Sequence, residues 1–219
     1  MKLRMPALLR ASWTLGPGKR FFSRSPLVRY NITVCQERKV LWYRVAKVGT
    51  RTIYNAFEKA GADVYDQQVM FYSRPANLYP DYFSFAFIRN PWDRLVSCWK
   101  DKVLAYNYFQ LSSEEHAKMK RFHYFVECLQ NADIDHADPH LRPQSRLVAI
   151  DNLDFVGHFE NFSGDLQQVL RKLQADEISI KKLNASANRK NYRKYYDDEL
   201  QRKVAHIYRQ DIERFAYEF

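Results

Sequence analysis

Arg44-Val45-Ala46-Lys47-Val48-Gly49-Thr50-Arg51-Thr52 stands between a β-rich run, Lys39 to Ala46, and an apolar helical pattern that opens at Ile53. Strand, tight turn and helix start make a phosphate-binding arrangement. The first amides of a helix have no intrahelical partner and lie at the positive end of its dipole, so an oxyanion completes them. Lys47 adds a full charge where those amides converge. The order differs from a Walker loop, in which lysine follows the second glycine and precedes Ser or Thr; here lysine comes first.

A second stretch, Phe87-Ile88-Arg89-Asn90-Pro91-Trp92-Asp93-Arg94-Leu95-Val96-Ser97, repeats the layout. Tyr82 to Ile88 reads as a buried strand, Arg89 stands at its carboxyl end, Pro91 breaks it, and a helical pattern runs from Trp92 to Ala105. Ser97 follows Arg89 by eight residues. If the two strands are parallel neighbours, both turns emerge at the carboxyl edge of one sheet, where open α/β sheets bind ligands. One ligand with two separate phosphate groups would satisfy both turns.

Around these turns the chain alternates between helical patterns and loops. The first helix pattern, with Ile53, Phe57 and Ala60, stops at Gly61. Residues 62–80, with Pro75, Asn77 and Pro80, read as an irregular loop over the sheet edge. Ser112 and Glu115 form a capping box for a helix to about Gln130. Asn131 to Ser145 is polar and carries two prolines, as an active-face loop would. Phe155 to Phe159 reads as a short strand, Gly164 to Leu173 as amphipathic, and Asp197 as the cap of a helix with Leu200, Val204, Ile207, Tyr208, Ile212 and Phe215 on one stripe. Two strand-helix units with a helical remainder predict an α/β three-layer sandwich.

Composition fits one domain. The 219 residues are 46% hydrophobic and 16% aromatic, which excludes a disordered chain. The net charge of +10 is concentrated: residues 1–30 carry seven Lys and Arg and no acid, so 28 basic against 25 acidic residues leave the remainder at +3. A mildly basic body suits an anionic cofactor or an acidic glycan and does not require nucleic acid. Residues 1–29 read as a basic leader or arm: solvated, in peripheral contact with an anionic membrane surface, or an organelle transit segment. No apolar run approaches the ~20 residues that span a bilayer. Cys35, Cys98 and Cys128 suggest neither a disulfide framework nor a metal site. The sequons at Asn31, Asn161 and Asn184 are read as incidental.

Five segments, in order, resemble sulfotransferase family 2, the carbohydrate sulfotransferase branch. The Lys47 loop resembles the 5'-phosphosulfate loop of that family, and Arg89 with Ser97, in the form Arg-x-Pro-x-x-Arg-Leu-Val-Ser, resembles its 3'-phosphate site. The others are Asp138-Pro139-His140-Leu141-Arg142-Pro143-Gln144-Ser145, then Asp154 to Glu160, then a tail from Asn184-x-Ser186 through Tyr192-Arg193 to Asp211 and Phe215. The resemblance spans residues 30–219, which are expected to form the catalytic domain. It implies a P-loop-like fold with a central, mostly parallel sheet, 3'-phosphoadenosine 5'-phosphosulfate (PAPS) as donor, no metal, and a hydroxyl of a polysaccharide, glycan or glycolipid as acceptor.

It also implies roles. Lys47 stabilises the leaving group; Val48, Gly49, Thr50, Arg51 and Thr52 cradle the 5' end; Arg89 and Ser97 hold the 3'-phosphate. Ser186, Arg189, Tyr192 and Arg193 cover the adenosine. Arg51 stands where many relatives carry a small residue. Several relatives place a His or Glu base in the segment matching residues 61–83, but only Asp63, Asp66 and Asp81 titrate as acids there, so His140 is preferred as base over His123, His136 and His158. Arg94 is expected to face a carboxylate, and Trp92 and Trp99 to be core. Golgi members of the family are membrane-anchored; without a spanning segment, the expectation is a soluble, cytoplasmic, bacterial enzyme. The competing functions are a PAPS-binding family member without turnover and a basic polysaccharide- or nucleic-acid-binding protein. A P-loop kinase is disfavoured by the missing Gly-Lys-Ser/Thr.

Overall fold

A computed structural model of the chain describes residues 28–70, 79–175, 178 and 189–219. Ser186 and the arm up to residue 27 lie outside the described residues. Five strands, β1 (Val28–Cys35), β2 (Val40–Tyr43), β3 (Tyr65–Met70), β4 (Phe83–Ile88) and β5 (Phe155–His158), form one sheet in the order β3-β1-β2-β4-β5. β2 pairs parallel with β4, Trp42 opposite Phe85, and β4 pairs parallel with β5, Ile88 opposite His158. β1 runs antiparallel to both β2 and β3. Four of the five strands therefore share one direction. The parallel β2–β4 pair brings the Lys47 and Arg89 turns to the same edge.

Two strands were not anticipated. β1 opens at Val28, two residues before the expected start of the body, and alternates buried Tyr30, Ile32 and Val34 with polar Asn31 and Thr33. β3 falls within the stretch read as an irregular loop; its residues Tyr-Asp-Gln-Gln lack an apolar face, because it is an edge strand.

Seven α-helices lie among the described residues: α1 (Thr50–Lys59), α2 (Pro91–Trp99), α3 (Ser113–Met119), α4 (Phe122–Gln130), α5 (Phe162–Lys172), α6 (Asp198–Ile207) and α7 (Arg209–Phe215). α1 starts three residues earlier than the apolar pattern indicates, so Thr50 to Thr52 form its first turn. The expected helix from Ser112 to Gln130 is two helices. Arg121 is extended between them, and the indole of Trp99 takes the carbonyl of Met119 at 3.0 Å. The C-terminal helix is likewise broken at Tyr208, whose hydroxyl donates to the Leu141 carbonyl at 2.7 Å.

α1 and α5 cover one face of the sheet. There Trp42 stacks on Phe85 at 6.1 Å and meets Phe57 of α1 at 5.9 Å, while Phe87 lies 5.1 Å from Phe162 of α5. Gly157, opposite Phe87 on β5, makes room for that ring: a Cβ there would stand 2.6 Å from it. A second apolar cluster is built wholly from helices and loops, with Trp92, Leu95, Cys98, Phe125 and Val204 at its centre. The architecture is mixed α/β, as expected, but the layered description is coarser than the packing, since this helical lobe encloses a core that contains no strand residue.

Candidate functional site

The loop from β2 to α1 turns through two left-handed residues, Lys47 at φ 73° and Gly49 at φ 88°. Gly49 is required twice over, by its φ and by the Phe162 ring 2.8 Å from where a Cβ would lie. Three successive carbonyls of this loop are engaged from behind. Thr50 Oγ1 reaches Val45 at 3.4 Å, Arg94 Nε reaches Ala46 at 3.1 Å, and Arg89 Nη1 reaches Lys47 at 2.9 Å. Gly49 O takes the amides of Thr52 and Ile53. The amides of Val48, Gly49, Thr50 and Arg51 find no acceptor among the described residues, and Gly49 supplies no side-chain cap. An anion would complete them. Arg51 is exposed and forms no ion pair among the described residues.

Arg89 is fixed on all sides. Its Nε pairs with Asp93 at 2.9 Å and its guanidinium lies 4.2 Å over the Phe159 ring. Its backbone is gripped by Gln144, which accepts from Arg89 N at 2.9 Å and donates to Arg89 O at 2.8 Å. Gln144 is fully buried and is itself anchored through its amide on Asp211, at 2.7 Å. The guanidinium still has Nη2 to offer. Asn90 caps α2, accepting from the amides of Trp92 and Asp93. Asp93 and Ser97 are one helical turn apart, and Asp101 continues their spacing. Asp93 bonds Arg89 and Asp101 bonds Lys47 at 2.8 Å, and Ser97 stands between those two carboxylates in the chain. Arg89 and Lys47 are thus brought together.

Arg94 departs from expectation. It faces no carboxylate among the described residues; its buried guanidinium binds three carbonyls, those of Ala46, Arg142 and Pro139, at 3.1, 3.0 and 2.9 Å. It thereby ties the Lys47 loop to the His140 loop. His140 Nδ1 meets Asp138 Oδ1 at 2.7 Å, which leaves Nε2 as the free ring nitrogen. Burial pushes the Asp138 carboxyl up, but the hydrogen bond and charge of His140, with the hydroxyl of Tyr108, outweigh it and hold the carboxyl below its ordinary value. The Tyr108 ring packs edge-on against His140 at 5.0 Å and carries the Lys102 ammonium 4.4 Å above its face. Lys102 also reaches Asp101 at 3.3 Å. A continuous series of contacts therefore links Lys47 to His140.

Tyr192 and Arg193 dock by another route. Tyr192 packs on Phe219 at 5.7 Å, Phe219 on Trp92 at 5.5 Å, and Arg193 donates to the Phe219 backbone oxygen. This places both at the amino end of α2. Asp66 is occupied by Thr33, Tyr54 and Arg44, which removes it from contention as a base. Gln144, Asp101 and Asp211 are residues of this region to which the sequence alone assigns no role, and Arg94 is one to which it assigns a different role. Among the described residues, no group of three or more His, Cys, Asp or Glu side chains could hold a metal ion, and no helix is long and apolar enough to cross a membrane.

The parallel β2–β4 pair sets two strand-to-helix turns side by side in a mixed α/β protein, one presenting open amides and a lysine and the other an arginine. The chain belongs to the sulfotransferase family, which it matches over residues 30–218. It is 28% identical over 200 residues to carbohydrate sulfotransferase 14 of Mus musculus, covering 78% of this chain and 52% of that protein. It is also 31% identical over 117 residues to an uncharacterized protein of Archaeoglobus fulgidus, covering 53% of this chain and 88% of that protein. The chain spans about half the length of the mouse relative. No solved structure matches it.

Proposed function

We propose that the protein transfers the sulfuryl group of PAPS to a carbohydrate hydroxyl, on a P-loop-like nucleotide site. The observation that carries this reading is the hydrogen bond from Arg89 Nη1 to the Lys47 carbonyl, at 2.9 Å, which sets two anion-binding turns side by side. The residues fit the donor: open amides from Val48 to Arg51 and the Lys47 ammonium for its 5' end, the remaining arm of Arg89 and the Ser97 hydroxyl for its 3'-phosphate. Tyr192 and Arg193, with Ser186, would cover the adenosine. The similarity to a mouse carbohydrate sulfotransferase favours a carbohydrate acceptor.

The donor, when bound, supplies an activated sulfuryl group. In the transfer, the acceptor oxygen forms a new bond to sulfur as the bond from sulfur to the bridging phosphate oxygen breaks and leaves its electron pair on that oxygen. Lys47 and the α1 amides stabilise this growing charge. His140 Nε2 receives the acceptor proton, while Asp138 on Nδ1 fixes the tautomer and stabilises the resulting imidazolium. Transfer of labelled sulfate from PAPS to a panel of desulfated glycans tests the reading and identifies the acceptor. Binding of 3',5'-diphosphoadenosine without transfer to any acceptor would replace the enzyme by a nucleotide-binding relative; absence of both would overturn the nucleotide site.

A further inference from the structure

Lys47 has a counter-ion, and it comes from a distorted part of the chain. α2 ends at Trp99, and Lys100–Leu104 form a π turn in which the Ala105 amide bonds the Lys100 carbonyl at 3.0 Å. Such wide turns adjust which residues of a helix meet a site. Here the turn carries Asp101, whose carboxylate bonds the Lys47 ammonium at 2.8 Å.

The two partners are not equally dependent on each other. The Lys47 side chain is only 17% exposed, so its ammonium needs an anionic partner in every state. Asp101 is 38% exposed and already holds a second cation, Lys102 at 3.3 Å. If Lys47 leaves, Asp101 keeps Lys102 and water; if Asp101 is lost, Lys47 has nothing unless another anion takes its place. The neighbouring pair behaves otherwise. Arg89 binds Asp93 through Nε and the Lys47 carbonyl through Nη1, so Nη2 can donate to a phosphate without giving Asp93 up.

From this asymmetry we propose that Asp101 is a positioning residue that holds Lys47 in the nucleotide-free protein and yields it to the 5' anion. Binding at the lysine is then an exchange of one anionic partner for another, and Asp101 competes with the ligand. The proposal rests on the assignment of Lys47 to the 5' end of the donor. A carboxylate that merely braces the loop would help binding; a competitor opposes it.

The test is the affinity of the full chain for 3',5'-diphosphoadenosine, by calorimetry, in wild type, Asp101→Asn, Asp101→Glu, Lys47→Met and the double variant Lys47→Met/Asp101→Asn. Removing the competitor is expected to tighten binding about five- to tenfold. Asp101→Glu should return affinity towards wild type, and the gain should vanish in the Lys47→Met background. Unchanged or weaker binding by Asp101→Asn, or the same gain without Lys47, overturns the proposal while leaving the nucleotide site standing if wild type binds. If neither wild type nor Asp101→Asn binds the nucleotide, the site assignment falls and the proposal with it.

Discussion

The guanidinium of Arg89 donates to the carbonyl of Lys47 at 2.9 Å, so the turn that follows β4 is bonded to the turn that follows β2. The left-handed conformation of Lys47, unfavourable for a residue with a Cβ, is held by this bond. The two turns are preset relative to each other, which would lower the ordering cost for a ligand that engaged both.

Arg89→Ala should weaken binding of 3',5'-diphosphoadenosine by about 10- to 100-fold, the loss expected for a charge-assisted phosphate contact. Adenosine 5'-phosphosulfate, without a 3'-phosphate, should lose only a few-fold, through the loosened Lys47 carbonyl. Equal losses for the two nucleotides, measured by calorimetry, would overturn the assignment of Arg89 to the 3'-phosphate.

Lys47→Met should lower turnover by about 10²- to 10³-fold, as for loss of one donor to a developing oxyanion. Nucleotide binding should fall far less, because the α1 amides remain. Single-turnover sulfate transfer separates the two effects. A variant whose rate is intact at saturating PAPS would remove Lys47 from the chemistry.

His140→Gln should reduce turnover by about 10²- to 10⁴-fold while sparing nucleotide affinity. Asp138 adds a pH signature. Its carboxyl pKa is lowered by folding, so its contribution to stability is present above its unfolded value, about 4, and is lost as the pH falls through its folded value. Thermal melts from pH 6 to pH 2 should therefore show a steeper acid loss in wild type than in Asp138→Asn. Parallel curves would contradict the cause given for the shift.

Gly157→Ala should destabilise the fold by about 1–3 kcal/mol, because the new methyl would stand 2.6 Å from the Phe87 ring, which is packed on Phe162. Gly49→Ala meets the same Phe162 ring and also a left-handed φ, so it should cost at least as much and impair nucleotide binding as well. Denaturant unfolding of both variants checks the order.

Much of this site was legible because its chemistry is local. Arg44 to Thr52 and Arg89 to Ser97 are nine residues each, so the strand end, turn and helix start at each were readable from the local pattern. The supporting contacts were not, because they join residues far apart in the chain. Arg94 meets carbonyls at residues 46, 139 and 142, and only the folded chain shows that its buried charge is met by backbone dipoles where sequence logic expects a carboxylate. Gln144, an ordinary amide in a Pro-flanked loop, gains its place by continuing the hydrogen bonding of β4 at Arg89. β3 escaped notice for a third reason: an edge strand bordered by water has little apolar pattern to betray it.

Cys98 follows Ser97 on α2 but points into the helical core, and burial pushes its thiol up to about 12. The thiolate that alkylating reagents attack is thereby kept scarce. Iodoacetamide should therefore find this sulfur only when the lobe opens. Its labelling rate becomes a built-in clock for that opening, needing no engineered probe, and a ligand that bound against the opposite side of α2 would slow it.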